Sequence, residues 1–218
     1  MIEAFPPGII LILGALLIPL VQKRFQPLLA AALPVLGFVQ LLLLEPGVSH
    51  QLRLFDYELM VVRVDRLSLL FGYIFHLAAF LAAIYALHVR DTVQHVMAMV
   101  YVGAAVGAVF AGDLVTLFVY WELTAVSSVF LVWATRTEAA YRSGMRYLVI
   151  QVGSGVLLLA GVIMHAQATG SIAFVKLIGE DGLLSSATPA VVLIFLAFGV
   201  KAAFPFLHNW LQDSYPNG

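Results

Sequence analysis

Seven runs of about 17 to 23 mostly apolar residues follow one another along the chain, and no other feature restricts its fold as tightly. A helix needs about 20 such residues to cross the hydrocarbon core of a bilayer. Lipid offers no partner to an exposed backbone N–H or C=O, so each crossing must be helical or part of a closed barrel. The runs are Phe5 to Val21, Pro27 to Leu44 with Pro34 inside it, Leu67 to Leu87, Val96 to Gly112, Leu114 to Ala134, Tyr147 to Ala168 and Pro189 to Leu211. Composition agrees. The 62% of hydrophobic residues, 11% of charged ones and mean hydropathy of +1.01 exclude a soluble enzyme. A net charge of -1 beside that hydrophobicity excludes a disordered chain. Eleven basic residues against twelve acidic ones leave no basic field, so nucleic acid is not a partner. With no cysteine, disulfides, thiolate metal sites and iron–sulfur clusters are removed together. We read an all-α integral membrane protein of about seven transmembrane helices.

The N-terminal Met1-Ile2-Glu3-Ala4 is acidic where a cleaved signal would be basic, so the first run is a permanent helix. Lys23, Arg24, Arg90, Arg136, Arg142 and Arg146 fall on one set of alternate loops. The other set holds Arg53, Arg63, Arg66 and Lys176, diluted by Asp56, Glu58, Asp65, Glu180 and Asp181. The positive-inside rule places the first set in the cytoplasm, the N-terminus outside and the C-terminus inside. Residues 48–66 alternate roughly between polar and apolar and predict a hairpin on the outer surface. Residues 169–187, rich in Gly and Ser, predict a loop with one amphipathic turn. Three segments follow: 1–66 with two helices and the outer loop, 67–111 with the third and fourth, and 112–218 with the fifth to seventh. Gly103, Gly107 and Ala111 line one face of the fourth helix, as Ser154, Gly155 and Gly161 do in the sixth. Such stripes let helix backbones approach closely.

Two charges stand where charges are costly. Glu122 lies about nine residues, roughly 13 Å, into the fifth run, and Lys201 lies near the middle of the seventh. Each costs about 2.5–3.5 kcal/mol at the bilayer centre on insertion scales. Lys201 cannot snorkel free, because Asp213, the next interfacial group, is about 18 Å further along an ideal helix. The neighbours of Glu122 one turn away are Phe118, Val119, Ala125 and Val126, all apolar, so its partner must come from another helix. A buried acid and base in need of partners point to an ion pair or proton relay. Pro205 lacks the N–H that would bond the carbonyl of Lys201, which predicts that the seventh helix is broken there. His208, seven residues on from Lys201, falls on the same face of an ideal helix and is a candidate for the same path.

His76, His165, Gln151 and Ser154 are weaker relay candidates, with packing or water ordering as the plainer role. Asp113 reads as a helix cap. Phosphate-binding, dinucleotide, zinc-protease and nucleophile-elbow motifs are lacking, and no metal or cofactor is expected.

The stretches from Asp113-Leu-Val-Thr-Leu-Phe-Val-Tyr-Trp-Glu122-Leu and from Lys201-Ala-Ala-Phe-Pro-Phe-Leu-His-Asn-Trp-Leu-Gln-Asp-Ser-Tyr-Pro resemble the antiporter-like subunits of Mrp-type cation/proton antiporters. The D-type member is the nearest in pattern. Proton-pumping membrane subunits of respiratory complex I and of membrane-bound hydrogenases share the superfamily. Val64-Asp-Arg-Leu-Ser-Leu-Leu-Phe and Met145-Arg-Tyr-Leu look like theirs too. The resemblance implies that Glu122 and Lys201 gate and relay protons through a half-channel, with His208 matching a histidine that often follows. Gln212 stands where the family usually has proline, and Pro216-Asn-Gly departs from its usual ending.

The family builds two inverted five-helix repeats from about fourteen helices, whereas seven helices end inside the first repeat. The expectation is therefore a partial antiporter-like fold: one piece of a split subunit whose missing C-terminal helices come from another membrane subunit, a truncated product, or a fragment of a longer chain. Alone, such a chain is expected to be poorly stable or oligomeric, and inactive. The function implied is translocation of protons, coupled to sodium or another monovalent cation, within a multisubunit complex of a bacterial-type inner membrane. The alternatives are a pumping subunit of a redox complex resembling complex I or a hydrogenase, and a structural or assembly module inactive alone.

Overall fold

In the computed structural model, which describes residues 5–54, 57–179, 182 and 187–214, the apolar runs are helical. Helix α1 is Ile9–Leu17, continued by a 3₁₀ turn at Ile18–Leu20, and α2 is Gln26–Leu42. Strands β1 (Ser49–Leu54) and β2 (Tyr57–Arg63) follow, then α3 (Arg66–Tyr85) and α4 (Thr92–Phe110). Next come α5 (Leu114–Val132), α6 (Glu138–Thr169), α7 (Pro189–Lys201) and the short α8 (Asn209–Ser214). Arg66–His88, Thr92–Phe110, Leu114–Thr135 and Glu138–Thr169 are long and apolar enough to cross a membrane. Ile9–Leu20, Gln26–Leu42 and Pro189–Lys201 are shorter apolar helices. Glu180, Asp181, most of the expected amphipathic turn and the closing residues 215–218 lie outside the described residues.

Contacts divide the chain into two compact units, Met1–Gly112 and Asp113–Gly218. In the first, α4 packs on α1 where Gly103 and Gly107 meet the backbone of Gly8, which is the role the small-residue stripe predicts. Leu41, Val62, Val64, Leu69, Val106 and Phe110 close the core between α2, the hairpin, α3 and α4. The outer face of α3 shows Leu67, Leu70, Ile74, Leu77 and Leu81, each about half exposed or more. That inverts the pattern of a water-soluble helix and suits a lipid-facing one. The expected hairpin is present, antiparallel and with a bulge between His50 and Gln51.

Caps start the helices where the sequence offers them. The Asp65 side chain accepts from the Ser68 amide at 2.8 Å while the Ser68 hydroxyl accepts from the Asp65 amide at 2.8 Å, a capping box at the head of α3. The Ser68 amide holds the Asp65 carboxyl below its ordinary range, helped by the Ser68 hydroxyl and the charge of Arg63. A lowered folded-state value means stability that is present above the ordinary aspartate range and lost as pH falls through the lowered one. Asp65→Ala should therefore speed hydrogen exchange in the first turn of α3 at pH 7, by the equivalent of about 1 kcal/mol. Once the pH has fallen below the lowered Asp65 value, variant and parent should exchange alike. A difference that persists there would show that the carboxylate is not the cause.

The second unit begins with Asp113, 2% exposed, whose carboxylate accepts from the Thr116 amide at 2.7 Å and its hydroxyl at 2.9 Å. This is the cap read from the sequence. The loop after α6 returns over the start of α5, where the Leu114 amide bonds the Ile172 carbonyl at 3.0 Å. Helix α6 is 32 residues long and starts nine residues ahead of the apolar run that marked it. Thr137 caps it, and Ala140, Ser143, Gly144 and Tyr147 bury one face of its first turns. Polar residues on the other face, Arg142 and Arg146 among them, made that amphipathic start read as a loop.

Candidate functional site

Helix α7 ends at Lys201, and its ending places the lysine. The Phe204 amide bonds the Gly199 carbonyl at 2.9 Å and the Ala203 amide bonds the Val200 carbonyl at 3.2 Å. Ala203 at φ 54° supplies the left-handed residue of this Schellman turn. The Phe204 ring closes over Gly199, where a side chain would crowd it. Pro205 follows at once, where it cannot continue a helix. The interruption runs from Ala202 to His208, so the helix stops ahead of the proline rather than kinking at it.

Lys201 sits in the last turn of α7, at the negative end of the helix dipole. Its Nζ donates to the Trp121 carbonyl at 3.1 Å and to Thr124 Oγ1 at 2.9 Å, both on α5. The ammonium also lies 5.0 Å from the centre of the Trp121 ring, a cation–π distance. Trp121 is fixed in turn. Its indole N–H donates to Ser154 Oγ at 3.1 Å, and Phe198 packs edge-on against it at 4.9 Å.

Glu122 is next in sequence to the residue that holds the lysine, yet no ion pair joins them. Its carboxylate points at α6, into space that exists because residue 155 is glycine; a methyl there would overlap Oε1. Glu122 Oε1 is buried and has no hydrogen-bond partner among the described residues. Leaving a buried polar atom unpaired costs about 1–3 kcal/mol, more for a charged group. Native folds leave few such atoms, and a bound water or ion, local strain or a moving proton can account for one. Its charge and that of Lys201 still act on each other across the gap.

The weaker candidates separate. Ser154 anchors Trp121 and donates to the Gln151 carbonyl at 2.7 Å. Gln151 Oε1 and His165 Nε2 are buried on α6 without partners among the described residues. His165 is ten residues beyond Gly155, about 15 Å along the helix. His76 belongs to the first unit; its Nδ1–H donates to the Gly72 carbonyl at 2.8 Å, leaving Nε2 a bare acceptor against Gly37. His208 closes the interruption half-buried, and its ring makes no hydrogen bond among the described residues. The seven-residue spacing that put it on the lysine's face assumed a continuous helix, which the break removes. Trp121 and Thr124 went unmarked in the sequence, since both are ordinary residues of a membrane helix.

Residues 111–218 match the family described as NADH:quinone oxidoreductase/Mrp antiporter, transmembrane. The second half of the chain belongs to this family. The A-type Na(+)/H(+) antiporter protein of Alkalihalophilus pseudofirmus is 31% identical over 165 residues, which cover 70% of this chain and 20% of that protein. The D-type Na(+)/H(+) antiporter protein of Bacillus subtilis is 32% identical over 112 residues, 50% of this chain and 23% of that one. A chain of the Mrp complex from Dietzia sp. superposes with a TM-score of 0.79 at 20% identity, over 99% of this chain and 43% of its own. At that identity the likeness speaks to the fold. The chain is thus a membrane-embedded, multi-pass antiporter-family protein that spans about a fifth of the length of these curated relatives. Glu122, Lys201 and the interrupted helix all lie inside the matched stretch.

Proposed function

We propose that the second unit carries protons through the membrane, with Glu122 and Lys201 as the acid and base of the path. One observation carries this reading: a buried carboxylate oxygen with no partner among the described residues stands one residue from the carbonyl that holds a half-buried lysine's ammonium. A structural salt bridge would bring the two together. Here each is held apart from the other, so a proton reaching Glu122 through water weakens its pull on Lys201 without breaking a contact. Lys201 can leave its two α5 acceptors by a change of rotamer or by a shift of the end of α7, where the helix is interrupted. Exchange against sodium or another monovalent cation, within a complex of further membrane subunits, extends the reading from the relatives named above. His208, His165 and Gln151 are proposed as water-ordering members of the path, and His76 as a separate one.

In this reading the chain lies in a bacterial inner membrane with its N-terminus outside and its C-terminus in the cytoplasm. The chain has no cysteine, so single cysteines report cleanly. A membrane-impermeant thiol reagent should label Gln51→Cys from outside and Phe206→Cys from inside. Labelling of both from the same side would overturn the orientation. The function is tested by proton flux in vesicles holding the assembled complex with a pH-sensitive dye inside. Flux at the parental rate in Glu122→Gln would refute the reading.

A further inference from the structure

Helix α8 is tied to α6 at Asp213. Arg146 Nη1 donates to Asp213 Oδ2 at 2.7 Å, and the Ser143 hydroxyl donates to the Asp213 carbonyl at 2.6 Å. The pair borders a cavity of about 220 Å³ lined by Ala139, Arg142, Ser143, Arg146 and Asp213. Both partners are about half exposed or more, so salt can weaken their attraction. One turn back on α8, Trp210 leans edge-on against Tyr147 of α6, ring centres 5.4 Å apart. Its indole N–H reaches across the interruption to the Val200 carbonyl at 3.0 Å. Val200 is the residue before Lys201. From Tyr147 the contacts continue to α5: its hydroxyl meets Ser128 Oγ at 2.6 Å, and Ser128 donates to the Thr124 carbonyl at 2.6 Å. Thr124 is the residue whose hydroxyl accepts from Lys201.

Lys201 is therefore enclosed by a ring of contacts. One arm fixes the backbone that carries it, through Trp210 and Val200. The other fixes its acceptor, through Tyr147, Ser128 and Thr124. Both arms meet where Trp210 packs on Tyr147, and the Arg146–Asp213 pair holds that junction together. We propose that Trp210 is a positioning residue for Lys201, and that Arg146–Asp213 is the latch that keeps it engaged. With the latch open, α8 drifts from α6, the Val200 carbonyl loses its indole donor, and the end of α7 moves the ammonium off Trp121 and Thr124. The significance of this rests on the proposed role of Lys201, but the placement itself is a separate matter and is tested separately.

The measurement is the rate at which an amine-reactive, membrane-permeant reagent modifies Lys201 in the full chain in detergent, read by peptide mass spectrometry. Lys23 and Lys176 serve as internal references. Trp210→Phe keeps an aromatic ring for Tyr147 but removes the N–H together with the five-membered ring that carries it. It should raise labelling of Lys201 about twofold to fivefold and leave both references unchanged. Arg146→Glu and Asp213→Arg should each do the same, an increase on the scale of one partly exposed ion pair. The double reversal Arg146→Glu/Asp213→Arg should return labelling to within twofold of the parent, which general loosening of the fold would not do. Unchanged labelling in Trp210→Phe, or single reversals that the double fails to restore, overturns the proposal. Because labelling does not depend on transport, it can succeed where the flux assay fails, and the reverse.

Discussion

Glu122→Gln and Lys201→Ala should each reduce proton flux by about 100-fold in the assembled complex, and the double variant should be no slower than either single one. The size follows from the contribution of a positioned proton-transfer group, about 10²–10⁴-fold. The non-additivity follows from the geometry. Lys201 is held by α5 and by the Trp121 ring, not by Glu122, so each group keeps its place when the other is removed. What is lost is the exchange between them, and it can be lost only once. Two groups contributing independently to the same barrier would multiply their defects to about 10⁴-fold instead. Gly155→Ala supplies a cross-check. Its methyl displaces the Glu122 carboxylate rather than any backbone, so flux should fall while the helix itself is little changed. In a Glu122→Ala background the same substitution removes a helix glycine at no cost and should stabilise by about 0.5–1 kcal/mol.

The largest effect on stability is expected at the other end of the chain. Gly8 has φ 90°, a conformation that side chains rarely adopt, and a methyl there would strike the Gly103 carbonyl and the Gly107 amide. Gly8→Ala should cost about 1–2 kcal/mol for the left-handed backbone. It should cost about 1–3 kcal/mol more for forcing α1 and α4 apart. Gly47 has φ 100° and nothing near its absent side chain, so Gly47→Ala bears only the first cost. Unfolding of both variants in detergent separates the two. Equal losses would mean that α4 does not need the close approach to α1.

Glu122 and Lys201 were legible because a charge inside an apolar run is anomalous whatever surrounds it. The break was legible because Pro205 forbids a helical hydrogen bond on its own. The hairpin showed in its alternation, and the α1–α4 contact in its glycines. Trp121, Thr124 and Trp210 could not be read this way. They are common in membrane helices, and their work depends on which carbonyl or ring they meet in space. His208 was assigned a face by counting along a helix that ends before reaching it. The first turns of α6 are amphipathic, so hydropathy does not mark them, and only the Thr137 cap signals where the helix starts.

The turn after Lys201 has a consequence for how firmly α7 is held open. Ala203 and Phe206 both occupy left-handed conformations, at φ 54° and φ 70°, within four residues. Each raises the interrupted form by about 1–2 kcal/mol relative to a glycine there. Together that is a factor of roughly 30 to 1,000 in the ratio of interrupted to rewound segments, all of it drawn from the side that is observed. Glycines at both positions would deepen the open state and slow any departure from it. With alanine and phenylalanine instead, the interrupted form is favoured less than glycines would make it, and Pro205, which cannot sit inside a continuous helix, is what opposes rewinding.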